Sequence, residues 1–108
     1  RVTADFVLGD RDGTTCDLRL RQVISKTLEE MGYAVAVNDP YKGVELVRAH
    51  SDPSSARHSI QIEINRAIYM NERSLERLAG FETLKANINQ LLHELARFSN
   101  QRISVAAE

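Results

Sequence analysis

The sequence has no tryptophan, one cysteine and almost no net charge, which is −1 over 108 residues. Because Cys16 has no partner for an internal disulfide, a reducing compartment is the default and we expect a cytoplasmic location. Lysines and arginines are scattered, without a block of about five like charges, which argues against a nucleic-acid-binding surface. No run of about 18 apolar residues is present, so we expect no membrane span.

Length and composition indicate a single globular domain. A chain of 108 residues matches one domain, and 43% hydrophobic residues are enough to build a core. The sequence begins with Arg1 and enters an apolar run, residues 4–8, almost at once. We interpret this as a piece of a longer α/β protein; processing of an initiator methionine and a trimmed or tagged chain are the alternatives.

The most distinctive segment is HSIQIEINRAIYM, residues 58–70. Isoleucines alternate with polar residues, and a period of two with β-branched residues predicts a strand. The isoleucines are Ile60, Ile62 and Ile64, and the polar residues are Gln61, Glu63 and Asn65, with Arg66 and Tyr69 directly after. Amide and carboxylate groups in a row can hold, orient and deprotonate a ligand. The alternative is an ordinary solvent-facing stripe.

The remaining sequence predicts alternating strands and helices. Strands are expected at residues 6–8, 33–37 and 60–64, and residues 44–48 are expected to form a short strand or a helical turn. Asp17 is placed to cap a helix that Gly32 ends. A long helix is expected from Asn71 or Ser74 to about Ser99, with Gly80 marking a break, and the tail 101–108 is expected to fray. This order is typical of an α/β layered sheet.

Two loops carry charged or reactive side chains. In GDRDGTTCD, Asp10, Asp12 and Asp17 do not follow the ligand spacing of a calcium loop, so a structural turn with a helix cap is favoured. Cys16 is interpreted as passive rather than nucleophilic, because no partner base is evident. In YKGVELVR, Lys42 and Arg48 can clamp a carboxylate, although solvated surface charge is the simpler explanation.

The histidines do not have the spacing of a metal site, since His50, His58 and His93 form neither an HxxH nor an HExxH pattern. His58 differs from the others because it precedes the polar-faced strand. A hydrogen bond at the strand edge is the alternative to a functional role for His58.

Taken together, these segments resemble the C-terminal part of the N-formylglutamate amidohydrolase family. The resemblance is carried by GDRDGTTCD, by NDPYKG within YAVAVNDPYKGVELVR, and by SDPSSARHSIQIEINRAIYMNE with the helix that follows. It extends over nearly the whole chain up to the tail. It implies an α/β fold, a zinc-exopeptidase-like three-layer α/β/α sandwich around a mixed sheet. Residues 1–108 are then the C-terminal part of a single amidohydrolase catalytic domain.

The resemblance also implies an activity. Family members hydrolyse the formyl amide of N-formyl-L-glutamate to formate and L-glutamate, a step of histidine degradation. A divalent metal, with zinc expected, would polarise the formyl oxygen and activate water. Its ligands are expected upstream of this chain, which lacks the family's Asp-x-His-Ser motif. The resemblance places Glu63 at the position of the carboxylate that serves as general base and acid.

The other polar residues are expected to contact a small anionic substrate. Cations would bind the two substrate carboxylates, amides would orient Glu63 or touch the substrate, and His58 and Tyr69 would make secondary contacts. The cations are Lys42, Arg48 and Arg66, and the amides are Gln61 and Asn65. Two alternatives stay open: a non-catalytic α/β module that binds an anion or a partner, and an amidohydrolase for another N-acylated acidic amino acid. Uncovered sheet edges also predict self-association of this chain.

Overall fold

The structure, a computed structural model, describes the backbone of residues 4–107 and the side chains of residues 4–99. The chain divides into two compact units, Arg1–Asn65 and Arg66–Glu108. The first unit contains β1 (Phe6–Gly9), α1 (Leu18–Glu30), β2 (Val35–Val37), α2 (Glu45–Ala49), a 3₁₀ helix (Pro53–Ser55) and β3 (Gln61–Ile64). The second contains a 3₁₀ helix (Arg66–Ile68) and α3 (Gly80–Ala107). That both units belong to one catalytic domain stays a prediction.

The sheet of the first unit has β1 at its centre, in the order β2-β1-β3. β1 pairs with β2 in parallel and with β3 antiparallel, so the mixed sheet and the α/β class are confirmed. Phe6, Val7 and Leu8 are at most 4% exposed, as their uninterrupted apolar run predicts for a central strand covered on both faces. β2 is shorter than predicted because the backbone N–H of Tyr33 still bonds to the Leu28 carbonyl of the preceding helix.

Helix α1 begins and ends where its capping residues predict. The Asp17 side chain accepts a hydrogen bond from the Arg19 backbone N–H, which leaves one fewer unsatisfied donor at the helix start. Gly32 follows the last turn with a φ of 98°, a left-handed conformation that favours glycine. The apolar spacing of the helix predicts one buried face, and Ile24 and Leu28, one turn apart on it, are fully buried.

Two boundaries in the first unit refine the predictions. The helical alternative for residues 44–48 is the correct one, since α2 spans Glu45–Ala49 and buries Val47. β3 begins at Gln61, one residue later than expected. Just before it, the Ser59 N–H bonds to the Thr15 carbonyl, outside the strand pairing.

The start of the long helix was predicted wrongly. Neither Asn71 nor Ser74 caps it: α3 begins at Gly80, which is its first residue and not a break within it. The Asn71 side chain instead accepts hydrogen bonds from the N–H groups of residues 73 and 74, closing a local turn that competes with helix. Leu75 then adopts a positive φ of 63°, which is incompatible with a continuous helix.

The far end of α3 extends beyond the predicted Ser99, to Ala107. The side chains of residues 101–108 lie outside the described part of the chain. The predicted fraying of this tail stays a prediction. The apolar spacing along this helix predicts that Leu84, Leu91 and Leu92 are buried on one face. Leu84 and Leu91 are buried, but Leu92 is 57% exposed, so for Leu92 the prediction is wrong. Among the described residues, no helix is both long and apolar enough to cross a membrane.

Candidate active site

The polar face of β3 is formed as its alternation predicts. In the antiparallel register, Glu63 lies opposite Val7 and Gln61 lies opposite Gly9. Residues opposite each other share a face of the sheet, so the two polar side chains stand on the face of Val7, and the isoleucines stand on the other. Glu63 itself is exposed. The exposed carboxylate of Glu63 on β3 therefore lies beside the buried central strand β1.

Gln61 connects Glu63 to the loop that contains NDPYKG. Its Nε2 donates a hydrogen bond of 2.9 Å to Oε2 of Glu63, and its Oε1 accepts one of 3.3 Å from the Val44 backbone N–H. Among the described residues, Gln61 is the hydrogen-bond partner of the Glu63 side chain. One carboxylate oxygen is thus bonded to an amide, and whether Gln61 orients Glu63 in catalysis or contacts the substrate stays a prediction.

The loop approaches the sheet at Gly9, beside Gln61. A Cβ on Gly9 would come within 2.7 Å of the Gly43 nitrogen and 2.8 Å of the Lys42 carbonyl carbon. Arg11 holds the same loop, because its backbone N–H bonds to the Lys42 carbonyl and its guanidinium to the Gly43 carbonyl. Gly43 has a φ of 107°. Two glycines therefore allow backbone to pack on backbone at the end of β1.

The predicted substrate cations of the first unit are exposed and paired with neighbouring carboxylates. Lys42 Nζ lies 3.1 Å from Asp12, and both side chains are about 60% exposed. Arg48 forms an ion pair with Glu45 on α2, and this bond raises the pKa of Arg48 and lowers that of Glu45. Among the described residues, neither cation forms an ion pair with Glu63. Their predicted role in substrate binding stays a prediction.

Two other predicted residues of the first unit make structural contacts. His58 Nδ1 accepts a 2.9 Å hydrogen bond from the Asp17 backbone N–H, beside the start of α1. This contact resembles the strand-edge hydrogen bond that is the alternative to a functional role for His58. It uses Nδ1, and the second ring nitrogen, Nε2, takes no part in it. Asn65 is exposed and its backbone N–H bonds to the Asp5 carbonyl. Contacts of either residue with a substrate stay predictions.

Arg66 and Tyr69 belong to the second unit and are described within it. Arg66 Nε lies 3.4 Å from Glu72, with both side chains more than half exposed. The Tyr69 ring meets the Phe81 ring edge-on at 6.1 Å, and the Arg77 guanidinium lies 4.2 Å from the Phe81 centroid. Their predicted substrate contacts also stay predictions.

The sequence interpretation missed the importance of Asp10. Its side chain is fully buried and accepts hydrogen bonds from Asn38, from the Gly13 N–H and from Arg21. Burial acts to raise the pKa of Asp10, but these hydrogen bonds and the Arg21 charge outweigh it, and the pKa lies below its ordinary value of 3.8. Asp10 ties the end of β1 to α1 and to the end of β2. The turn-rich sequence signalled a structural loop, as predicted, but not which aspartate is buried.

Cys16 also contacts Asp10, with its Sγ 3.7 Å from Oδ2. Burial and the nearby Asp10 charge raise the pKa of the Cys16 thiol to about 12. Because the thiolate is the nucleophile, this thiol is unreactive near neutral pH, which agrees with the passive role predicted for it.

The described residues do not form a metal site on their own. Within residues 4–99, no three His, Cys, Asp or Glu side chains are grouped so that they can hold a metal ion. A catalytic zinc usually has about three protein ligands. The donor set therefore does not fit a metal held by this part of the chain alone.

Comparison with known proteins identifies relatives of one kind. A sequence model described as N-formylglutamate amidohydrolase matches residues 1–70. An N-formylglutamate deformylase from Pseudomonas aeruginosa is 29% identical over 101 residues, covering 91% of this chain and 38% of the relative. Another from Pseudomonas putida is 33% identical over 69 residues, covering 63% of this chain and 26% of the relative.

A solved structure is also similar over almost the entire chain. The N-formylglutamate amidohydrolase from Ralstonia eutropha JMP134 superposes with a TM-score of 0.90 at 48% sequence identity. The match covers 94% of this chain and 36% of that protein, so the chain spans little more than a third of the relatives' length. The resemblance seen in the sequence motifs is confirmed, and the chain belongs to the N-formylglutamate amidohydrolase family.

Proposed function

We propose that this chain is the C-terminal part of a single amidohydrolase catalytic domain. The whole protein hydrolyses the formyl amide of N-formyl-L-glutamate to formate and L-glutamate. Family membership and the names of the relatives support this reaction. The mixed sheet supports the coarser part of the architecture, and the proposal extends it to a three-layer, zinc-exopeptidase-like sandwich.

The observation that carries the proposal is the exposed Glu63 carboxylate, oriented by Gln61 on the polar face of β3. Glu63 acts as the general base that takes a proton from the attacking water. It then acts as the general acid that delivers a proton to the leaving nitrogen. A positioned acid–base group of this kind contributes about 10²–10⁴-fold to a rate.

A divalent metal, zinc, is part of the proposal. Because residues 4–99 do not form a ligand set, the ligands are proposed to lie elsewhere in the whole protein. The roles given to the residues of this chain do not depend on the metal.

The substrate has two carboxylates, and the proposal assigns them to Lys42, Arg48 and Arg66. Each of these side chains is more than half exposed and now pairs with a protein carboxylate. Exposed ion pairs are weak, so exchange of the protein carboxylate for a substrate carboxylate costs little. Asn65, Tyr69 and His58, the last through Nε2, are proposed as further substrate contacts.

Location and association complete the proposal. The passive, unpaired Cys16 is consistent with a reducing compartment, and we place the protein in the cytoplasm. Self-association of the 108-residue chain is proposed because Val37 on the edge strand β2 and Leu46 on α2 are exposed apolar residues.

Release of formate by the purified whole protein tests the reaction. With zinc supplied, N-formyl-L-glutamate is expected to be hydrolysed in preference to N-formyl-L-leucine, which lacks the side-chain carboxylate, and to N-acetyl-L-glutamate. Absence of formate release at every metal tried would contradict the proposal. Binding of N-formyl-L-glutamate without hydrolysis would instead support the non-catalytic module, and preference for the acetyl compound would support another N-acyl substrate.

A further inference from the structure

The side-chain amide of Gln61 uses both of its ends within the protein. Nε2 donates to Glu63 at 2.9 Å, while Oε1 accepts from the Val44 N–H at 3.3 Å. A carboxylate can only accept hydrogen bonds, and a backbone N–H can only donate them. If the amide were turned over, both contacts would be lost. The Val44 N–H therefore determines which end of Gln61 faces Glu63.

The position of the Val44 N–H depends in turn on two glycines. Gly9 is the cross-strand neighbour of Gln61, and the backbone of the loop occupies the space where a Gly9 side chain would stand. Gly43 precedes Val44 and has a positive φ of 107°, and a Cβ on it would lie 3.3 Å from the Gly9 carbonyl oxygen. We call this contact of Gly9 with Gly43 the glycine seat.

We propose that Gln61 is a positioning residue for Glu63, that the glycine seat sets its orientation, and that Gln61 is not a substrate contact. The inference rests on the proposed function, because it assigns Glu63 as the base. An unrestrained glutamate has several rotamers, and ordering it during the reaction would raise the barrier. The seat and Gln61 order one carboxylate oxygen beforehand. The other oxygen remains accessible to water.

Gln61→Met in the whole protein separates positioning from substrate binding. Methionine has a similar shape but makes neither hydrogen bond. Loss of a hydrogen bond to a charged group predicts a fall in kcat of about 10- to 100-fold, with KM nearly unchanged. Gln90→Met is the matched control, since Gln90 also donates to a glutamate, the half-buried Glu94, at 3.2 Å on α3. The control is expected to retain wild-type kcat.

Gly9→Ala tests the glycine seat without touching either polar side chain. The added methyl group displaces the loop and with it the Val44 N–H, so kcat is expected to fall as in Gln61→Met. The two changes act through one contact, so the double variant should fall little further than the worse single variant. Independent losses that multiply in the double variant would overturn the role of the seat. A rise in KM with unchanged kcat in Gln61→Met would overturn positioning and make Gln61 a substrate contact.

An NMR measurement keeps the inference testable whether or not the enzyme is active. The two Nε2 protons of Gln61 are expected to have well-separated shifts, because only one is bonded to the Glu63 carboxylate. Gly9→Ala should reduce this separation and leave the Gln90 protons unchanged. Unchanged Gln61 shifts would overturn the inference. If Glu63→Gln retains full activity while Gly9→Ala shifts the Gln61 protons, the proposed base fails but the geometric coupling stands.

Discussion

Two carboxylates, one just after β1 and one on the neighbouring strand β3, have opposite environments. Asp10 follows β1 and is fully buried, with hydrogen bonds from a backbone amide, a side-chain amide and a guanidinium. Glu63 lies on β3 and is exposed, and among the described residues its carboxylate accepts a hydrogen bond from Gln61 alone. A saturated carboxylate fixes structure, whereas an exposed one with an accessible oxygen can accept a proton from water.

The same contrast separates the two charged segments of the sequence. The carboxylates and glycines of GDRDGTTCD suggest chemistry, yet its buried members form a scaffold in which Cys16 is unreactive. The strand QIEI has a single carboxylate, and its accessibility makes it the better candidate for catalysis. Accessibility and unused hydrogen-bonding capacity distinguish the candidate site from the scaffold more clearly than the density of charge does.

The largest expected effect is on catalysis. Glu63→Gln in the whole protein should lower kcat about 10²–10⁴-fold, because an amide cannot take a proton from water at neutral pH. The side chain is exposed and nearly the same shape, so the free energy of unfolding should hardly change. Formate release at saturating substrate and metal, together with denaturant unfolding, measures both quantities. Near wild-type turnover would remove Glu63 from its proposed role.

The next effect is on stability and concerns Asp10. Asp10→Asn removes the charge that pairs with Arg21, whose side chain is only 22% exposed. Breaking a buried ion pair by changing one partner costs about 3 kcal/mol or more. Denaturant unfolding of the 108-residue chain measures this loss. A loss no larger than that of an exposed aspartate in the same loop would contradict the contrast between Asp10 and Glu63.

Much of the first unit could be predicted because its signals are local. Alternation along residues 60–64 gives the polar face directly, and Asp17 with Gly32 gives both ends of α1. Family resemblance then gives Glu63 its candidate role. These features depend on residues close in sequence, where period and capping chemistry decide the structure.

The rest depends on contacts between residues distant in sequence. The hydrogen bond between Asp10 and Asn38 joins residues 28 apart, and nothing in the loop sequence indicates that Asp10 rather than Asp12 is buried. The start of α3 was predicted too early because apolar spacing continues through Leu75 and Leu78. The turn that Asn71 closes is a stronger local preference than that spacing.

Protonation of Asp10 at low pH is expected to lower the free energy of unfolding by a smaller amount. The pKa of Asp10 is lowered in the folded chain, so its contribution to stability is present above the unfolded value near 3.8 and is lost as pH falls through the folded value. Protonation removes the charge but keeps the side chain in place, so the loss should be smaller than in Asp10→Asn. The unfolding free energies of the wild-type chain and of Asp10→Asn, measured from about pH 7 downward, should approach each other in acid. If the two curves of unfolding free energy against pH ran parallel, the pKa of Asp10 would be the same in the folded and the unfolded chain, and the prediction would be wrong.

The smallest effect is expected at Asp12, two residues from Asp10. Asp12→Asn removes an ion pair with Lys42 in which both side chains are about 60% exposed, and such pairs contribute less than about 1 kcal/mol. Its unfolding free energy should stay close to that of the wild type and change little with salt. The variant also frees the Lys42 ammonium. If Lys42 binds a substrate carboxylate as proposed, KM for N-formyl-L-glutamate in the whole protein should fall or stay unchanged, with kcat unaffected. A stability loss as large as that of Asp10→Asn would show that exposure does not divide the carboxylates of this protein into scaffold and site.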